Sequence, residues 1–247
     1  MIDIHAHILP GIDDGAADIY ETLEMAAMAA ESGVRKIVAT PHCNIPGYFD
    51  NYFDERYLNA YRRAREAIDR ERIPVKILPG AEVFATYDLA DLIVKKKIMP
   101  LNQSRYILIE FSFDENPDFA NAVIKNVQEI GVKPVIAHVE RYEFIQDVPK
   151  IAAEWAAKGC VLQVNKGSYT GRFGKHAETT AMSLLKKGLV SVIASDAHGA
   201  EHRTPFMLDA YDHLKKSCSQ KELDMLFREN PERICSDRPI LRKRSAL

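Results

Sequence analysis

The feature that most constrains the fold is a regular alternation of short β-branched runs with longer amphipathic stretches. Such runs are typical of buried strands, and the stretches between them carry apolar residues at helical spacing. The seven predicted strands are Ile2–His5, Lys36–Thr40, Val75–Ala81, Tyr106–Phe111, Pro134–His138, Val161–Asn165 and Val190–Ser195. Strands that alternate with helices in this way predict a parallel sheet covered by helices.

Helices are predicted in the intervals between the strands. Asp18 and Glu21 form a capping-box pattern before an apolar stretch, and Gly33 stands where a C-terminal cap belongs. Further helices are predicted at Asp54–Arg70, Asp88–Lys97, Pro117–Ile130, Val148–Lys158, Lys175–Lys187, Pro205–Lys216 and Gln220–Glu229. A unit length of roughly 30 residues favours one α/β domain built as a closed or nearly closed barrel, with an open doubly wound sheet as the alternative.

Composition restricts the function classes. The chain of 247 residues has 47% hydrophobic residues and a formal charge of -2, so it can bury a sizeable core and has no basic excess for general nucleic-acid binding. Neither a signal-peptide pattern nor a run of roughly 18 apolar residues is found, which predicts a cytoplasmic protein without membrane insertion. The widely spaced Cys43, Cys160, Cys218 and Cys235 are predicted to be free thiols.

Histidines and carboxylates stand at the ends of six of the seven predicted strands. His5 and His7 end the first strand and Asp196 and His198 follow the last, in each pair two residues apart and therefore on one face. The other strand ends carry His42, Glu82, Glu110 and His138. Because the carboxyl ends of barrel strands face one mouth, these side chains are predicted to meet there.

The alternative for each residue is an ordinary structural role. A single histidine at a strand end is more often a core or surface residue, whereas a carboxylate that ends an apolar strand, as Glu110 does, is costly to bury unpaired. His176, His202 and His213 lie in predicted loops or helices and are interpreted as surface residues. The acid pair Asp13-Asp14 precedes Gly15, and a turn is the simplest interpretation of that segment.

The number and type of donors predict a centre with more than one metal ion. Mixed imidazole and carboxylate donors suit zinc, manganese, iron or cobalt rather than calcium. Two cations bridged by a hydroxide supply a nucleophile at neutral pH, for phosphoryl or amide hydrolysis alike. Arg141 and Arg203 lie just beyond the fifth and seventh strands, and a guanidinium binds phosphate oxygens through two parallel hydrogen bonds, which favours phosphoryl chemistry. Solvated surface arginines are the alternative.

Two other hydrolytic mechanisms lack their residues. A cysteine-dependent phosphatase needs an arginine six positions after the cysteine, where this chain has Phe49, Lys166, Asp224 and Leu241. No GxSxG pattern occurs, so an α/β-hydrolase nucleophile is absent as well. Cys43 beside His42 is interpreted as a buried small hydrophobe.

The segments at the strand ends resemble the PHP family, named for its polymerase and histidinol phosphatase members. They are more similar still to the manganese-dependent tyrosine-protein phosphatases of bacterial capsular and exopolysaccharide loci. The matching segments are Met1–Gly15, Ala39–His42, Leu78–Glu82, Tyr106–Phe111, Pro134–Arg141 and Ile193–His198. They occur in order and span nearly the whole chain.

This resemblance implies one domain over residues 1–247 with a distorted TIM-like (β/α)7 barrel. It implies two or three divalent metal ions, manganese first and iron, cobalt or zinc as alternatives. The implied metal ligands are His5, His7, Asp14, His42, Glu82, Glu110, His138, Asp196 and His198. Arg141 and Arg203 would hold the phosphate.

The resulting hypothesis is a protein-tyrosine phosphatase in which a metal-bridging hydroxide attacks phosphotyrosine on a bacterial tyrosine autokinase that controls polysaccharide export. A small-molecule phosphatase such as histidinol phosphatase and a metal-stabilised kinase-docking module are the alternatives. The loop at 44–53 carries four aromatic residues, which either flank the phosphotyrosine ring or, as the favoured interpretation, pack the loop onto the barrel.

Overall fold

A curved parallel sheet forms the centre of the protein in the computed structural model, which describes residues 1–242. Its strands are β1 (Ile2–Ala6), β2 (Lys36–Ala39), β3 (His42–Cys43), β4 (Lys76–Pro79), β5 (Glu82–Phe84), β6 (Tyr106–Glu110), β7 (Lys133–Ile136), β8 (Val161–Asn165) and β9 (Val192–Ala194). The predicted second and third strands correspond to β2 and β4, and the short β3 and β5 that follow them lie beyond the predicted bounds. The remaining predicted strands are confirmed with end shifts of a few residues.

The sheet closes into a distorted barrel. Three strands pair in the order β1-β2-β4 and six in the order β3-β5-β6-β7-β8-β9, so the spatial order follows the chain. The His7 amide donates to the Ala197 carbonyl at 2.8 Å and the Asp196 amide to the His5 carbonyl at 2.8 Å, which joins the ends of β1 and β9. The predicted (β/α)7 barrel is confirmed, and the open doubly wound sheet is wrong.

Helices cover the outside of the barrel. They are α1 (Ile19–Glu31), α2 (Glu55–Arg70), α3 (Leu89–Val94), α4 (Pro117–Glu129), α5 (Glu143–Asp147), α6 (Lys150–Ala157), α7 (Gly174–Lys186), α8 (Leu208–Leu214), α9 (Gln220–Asp224) and α10 (Asn230–Cys235). The short α5 and α10 were not predicted, because five or six residues carry too little periodicity to identify a helix. Within residues 1–242, no helix has both the length and the apolar character needed to cross a membrane.

The beginning of α1 departs in one detail from the predicted capping box. The Asp18 carboxylate accepts hydrogen bonds from the Tyr20 and Glu21 amides, as an N-cap should. The Glu21 carboxylate accepts instead from the amides of Ala17 and Ala200. It therefore ties α1 to the loop that follows β9.

The lower half of the barrel interior is apolar. We call this cluster the lumen floor and define it by Ile4, Val38, Leu78, Leu108, Val135, Val161 and Val192 with Ile234 and Cys235 of α10. Each of its members is at least nine-tenths buried. A second apolar cluster lies between the sheet and the helices. Burial of the floor stabilises the barrel from within, at about 25 cal/mol for each Å² of apolar surface removed from water.

A register shift in β1 connects this floor to the mouth above it. Asp3 pairs with Ile37 and Ala6 with Ala39, so β1 has one residue more than β2 over this interval, as in a β-bulge. Ile4 therefore packs in the lumen floor while the next residue, His5, already belongs to the polar mouth. The extra residue lets β1 contribute consecutive side chains to both regions.

Candidate metal centre

All the residues predicted for the site converge at the carboxyl end of the barrel. They are His5, His7, Asp14, His42, Glu82, Glu110, His138, Arg141, Asp196, His198 and Arg203. By contrast, His176, His202 and His213 are exposed, as predicted. The β-strands bring together side chains that lie up to 198 positions apart, because the carboxyl ends of parallel strands share one edge.

His5 and His7 present their Nε2 atoms to each other at 3.3 Å. The Nδ1 of His5 contacts the Gln163 Oε1 at 3.1 Å, and the Nδ1 of His7 contacts the Asp13 Oδ2 at 2.7 Å. Both partners are oxygen acceptors, so each Nδ1 carries a hydrogen, and Nε2 is the nitrogen that would coordinate a cation in place of its own proton. Two imidazole nitrogens that face each other at this distance could share one cation.

The surrounding donors form three overlapping groups. They are His5, His7, Glu82 and Asp196; His7, Asp14, His42 and His198; and His42, Glu82 and Glu110, each with ligand atoms within 4.8 Å of one another. His138 joins through its Nε2, 3.0 Å from the Glu82 Oε1 and 3.7 Å from the Glu110 Oε1. Since His7, His42 and Glu82 each belong to two groups, the geometry can hold neighbouring cations that share ligands.

Several donor atoms in this cluster are buried and have no hydrogen-bond partner. They are His42 Nδ1, Glu82 Oε2, Glu110 Oε2, His138 Nδ1 and His198 Nε2. A buried polar atom without a partner is costly, so such a concentration is expected only where another group satisfies it. Four of these five atoms belong to the groups described above, and the combination of imidazole and carboxylate fits a transition-metal cation.

The pKa values reflect a dense cluster of opposite charges. Burial alone would lower the pKa of His5, but the charges of Glu82 and Asp196 outweigh it and raise that pKa to about 9. His42 behaves in the same way beside Glu82, with its pKa raised to about 10. Burial and the nearby His7 lower the pKa of His198 to about 2, so its imidazole stays neutral and able to coordinate.

The backbone is left-handed at three of these residues. His138, Asp196 and Arg203 have φ values of 31°, 52° and 51°. Positive φ is uncommon outside glycine and persists only where the surrounding structure compensates for the strain. The His138 side chain reaches Glu82 in the mouth, although the preceding residue, Ala137, packs in the same apolar cluster as Val135.

The two arginines lie at the rim and both approach the Asp196 Oδ2, Arg141 at 3.7 Å. Arg203 places one guanidinium nitrogen 2.5 Å from the Asp196 Oδ2, and its Nε donates to the Asp196 carbonyl. The Arg141 guanidinium stacks between the rings of Phe113, at 4.2 Å, and Phe173, at 4.4 Å. Both arginines remain partly exposed, so their free N–H groups can reach an anion in the mouth.

Three site residues escaped the sequence analysis. Gln163 and Asn165 of β8 are fully buried and hydrogen-bond to members of the cluster. The alternation of two amides with apolar residues in Val161–Asn165 was the signal that could have identified them. Asp13, interpreted as part of a turn, accepts hydrogen bonds from both the His7 ring and the His42 amide.

The loop that carries Asp13 passes very close to β1. A Cβ atom built on Gly15 would lie 2.1 Å from the His7 carbonyl oxygen. Only glycine allows this approach. The close approach brings Asp13 onto the His7 ring and leaves Asp14 with an oxygen 3.5 Å from both His42 and His198.

The four aromatic residues of the loop at 44–53 have different surroundings. Phe49 stacks on the His42 ring with centroids 5.8 Å apart, and the Tyr52 hydroxyl donates to the Asn44 side chain. Phe53 meets Tyr57 edge to face. Tyr48 projects outward with 82% of its surface exposed, and Phe53 is 41% exposed.

Comparison with known proteins gives a consistent result. A family model described as capsular polysaccharide synthesis, CpsB/CapC, matches residues 1–236. Tyrosine-protein phosphatase YwqE of Bacillus subtilis is 36% identical over 250 residues, covering 98% of this chain and 94% of the relative. Tyrosine-protein phosphatase CpsB of Streptococcus pneumoniae is 35% identical over 245 residues, covering 97% and 100%.

Solved structures agree with these relatives. One from a study of YwqE and CpsB, described there as unique metal-dependent tyrosine phosphatases, superposes with a TM-score of 0.92 at 36% identity. The match covers 99% of this chain and 98% of the other. A dihydropyrimidinase from Brevibacillus agri superposes over 99% of this chain and 73% of its own with a TM-score of 0.59 at 12% identity, a similarity of fold alone.

Proposed function

This chain belongs to the CpsB/CapC family of capsular polysaccharide synthesis, and we propose that it is a metal-dependent protein-tyrosine phosphatase. The observation that carries the proposal is the convergence of His5 and His7 with Glu82 and Asp196, four buried donors whose ligand atoms all lie within 4.8 Å of one another. The relatives that are named tyrosine phosphatases suggest the reaction, and the donor cluster is where the metal ions for that reaction would bind.

The ligands of the proposed cations are His5, His7, Asp14, His42, Glu82, Glu110, His138, Asp196 and His198, within one domain over residues 1–247. The overlap of three donor groups supports two or three ions. Manganese is the proposed metal, with iron, cobalt or zinc as alternatives that suit the same donors. When bound, such ions supply a water activated at neutral pH and stabilise negative charge on a phosphoryl group.

The chain's own part in the reaction is to bind and orient the phosphate. Arg203, fixed by Asp196, and Arg141, stacked between two rings, lie at the rim with N–H groups free to bind phosphoryl oxygens. No side chain needs to accept the phosphoryl group. Burial raises the pKa of Cys43, the cysteine nearest the site in sequence, to about 12, so its thiol stays protonated.

The proposed substrate is phosphotyrosine in the exposed tail of a bacterial tyrosine autokinase. A phosphotyrosine side chain is long and rigid enough to bring its phosphate into the mouth while its ring meets the partly exposed Phe113. We place the activity in the cytoplasm, because phosphorylation by ATP would supply the substrate there.

The test is phosphate release from a phosphotyrosyl peptide and from histidinol phosphate. Chelated protein is resupplied separately with manganese, cobalt, zinc or magnesium. We expect peptide hydrolysis that depends on added metal and is lost in His5→Ala but kept in His213→Ala, since His213 is exposed and away from the donor groups. Metal-dependent hydrolysis of histidinol phosphate alone would indicate a metabolic phosphatase, and kinase binding without hydrolysis would indicate a docking module.

A further inference from the structure

The barrel strand β8 provides no proposed metal ligand, yet it provides two polar side chains to the mouth. Gln163 and Asn165 point to the same face and are both completely buried. A buried primary amide is costly unless its donors and acceptors are used, so the partners of these two side chains indicate what they do.

The directions of the hydrogen bonds made by Gln163 and Asn165 can be assigned by starting from His138. The His138 backbone N–H donates to the Gln163 side chain at 2.8 Å, which requires an oxygen at that position. The same oxygen contacts the His5 Nδ1, so His5 must carry its hydrogen on Nδ1. The amide nitrogen of Gln163 then donates to the Asn165 Oδ1 at 2.8 Å.

The other end of the chain of hydrogen bonds gives the same assignment. The Asn165 Nδ2 lies 2.6 Å from the Asp196 Oδ2, and an ionised carboxylate can only accept. With Oδ2 engaged by Asn165 and Arg203, the Oδ1 of Asp196 faces His5 and His7 at 3.3 and 3.7 Å. Both ends therefore require the same orientation of both amides.

We propose that Gln163 and Asn165 are positioning residues for the cation site, fixing the Nδ1–H form of His5 and the orientation of Asp196. His5 can then present only its Nε2 lone pair, and Asp196 only its Oδ1, to the cations. The inference rests on the proposed cation site but not on the identity of the substrate. Hydrogen bonds of this kind to metal ligands commonly change metal affinity by about 10–100-fold.

A purely structural role for the two amides has a matched control in this chain. Asn230 is also completely buried, and its side chain donates to the Ser191 carbonyl and accepts from the Leu241 amide. None of these hydrogen bonds involves a residue of the donor cluster. Loss of Asn230 should reduce stability without affecting cation binding.

The experiment is Co²⁺ titration of chelated protein, followed by visible absorption, for Gln163→Met, Asn165→Ser, Gln163→Glu and Asn230→Ala. We expect Co²⁺ affinity to fall about 10–100-fold in Gln163→Met and about tenfold in Asn165→Ser. Gln163→Glu retains the acceptor for His5 and should bind Co²⁺ more tightly than Gln163→Met. Asn230→Ala should bind Co²⁺ as tightly as the unmodified protein, even if its melting temperature falls as far as that of Gln163→Met.

Nitrogen NMR of histidine in zinc-loaded protein provides a readout that a structural role would not change. We expect a slowly exchanging His5 Nδ1–H in the unmodified protein and in Gln163→Glu, and its loss in Gln163→Met. If Gln163→Met does not fold, Asn165→Ser carries the test.

Unchanged Co²⁺ affinity in Gln163→Met or Asn165→Ser, or an equal loss in Asn230→Ala, would overturn the inference. Failure of the unmodified protein to bind Co²⁺ would contradict both the proposed cation site and this inference. Normal Co²⁺ binding by the unmodified protein without phosphate release would contradict only the proposed function.

Discussion

The lumen floor and the mouth of the same barrel are both buried but are filled by opposite chemistry. Leu108 and Glu110 lie two residues apart on β6, one in the apolar floor and one in the donor cluster. The floor stabilises the fold by burying apolar surface. The mouth buries imidazoles and carboxylates, which costs free energy unless these groups pair with each other or bind a cation. Stability and function are thus separated along each strand.

The largest expected effect is at the mouth. Asp196→Ala removes a carboxylate that contacts His5, Arg203 and a proposed cation, so kcat/KM for a phosphotyrosyl peptide should fall on the order of 10³-fold. Steady-state kinetics with manganese present measures the loss. Asp212→Ala, at an exposed aspartate, is the control and should retain activity. Full activity in Asp196→Ala would contradict the assignment of this site.

A floor variant should give the opposite pattern. Leu108 is completely buried, and Leu108→Ala should lower the free energy of unfolding by about 2–5 kcal/mol through lost burial and a cavity. Urea denaturation measures this change. The specific activity of the folded fraction should stay close to that of the unmodified protein. A strong loss of kcat at full folding would mean that floor and mouth are not separable.

Metal removal should lower the free energy of unfolding, because the proposed cations bind only in the mouth. A site occupied at 100 times its Kd contributes about 2.7 kcal/mol, which chelation removes. In chelated protein, the raised pKa values of His5 and His42 give stability that is fully present below pH 6.5 and is lost as pH rises through about 9 and 10. Bound cations replace these protons, so the difference in melting temperature between loaded and chelated protein should increase from pH 6 to pH 9. A difference that shrinks with pH would contradict the proposed ligands.

The smallest expected effect concerns the rim. Phe173→Leu removes one of the two rings that enclose the Arg141 guanidinium. A cation–π contact contributes about 0.5–2 kcal/mol, so kcat/KM should fall roughly two- to thirtyfold. Phe227→Leu, which alters a ring packed edge to face on Tyr211, is the control in the same assay. Equal losses in both variants would indicate general packing rather than orientation of Arg141.

Much of the fold and most of the site could be predicted from local patterns. Helix starts such as Asp18 and strand residues such as Tyr106 follow from capping and β-branched runs, which depend on neighbours in sequence. Most of the donor residues could be predicted because each lies at or just beyond the end of a predicted strand, and parallel strands bring their carboxyl ends to one edge. Asp14 was identified only through the family resemblance. The short helix α5 could not, because its five residues carry too little pattern.

The sequence by itself determined which residue types reach the mouth, since strand alternation and strand order need only the order of residues along the chain. Only the tertiary structure decided that Asp13 supports His7 while Asp14 faces His42, and that Gln163 orients His5. The register shift in β1, which places Ile4 and His5 in different regions, also depended on pairing with β2. These features require distances between atoms far apart in sequence, and such distances are set by packing of the whole barrel rather than by any local pattern.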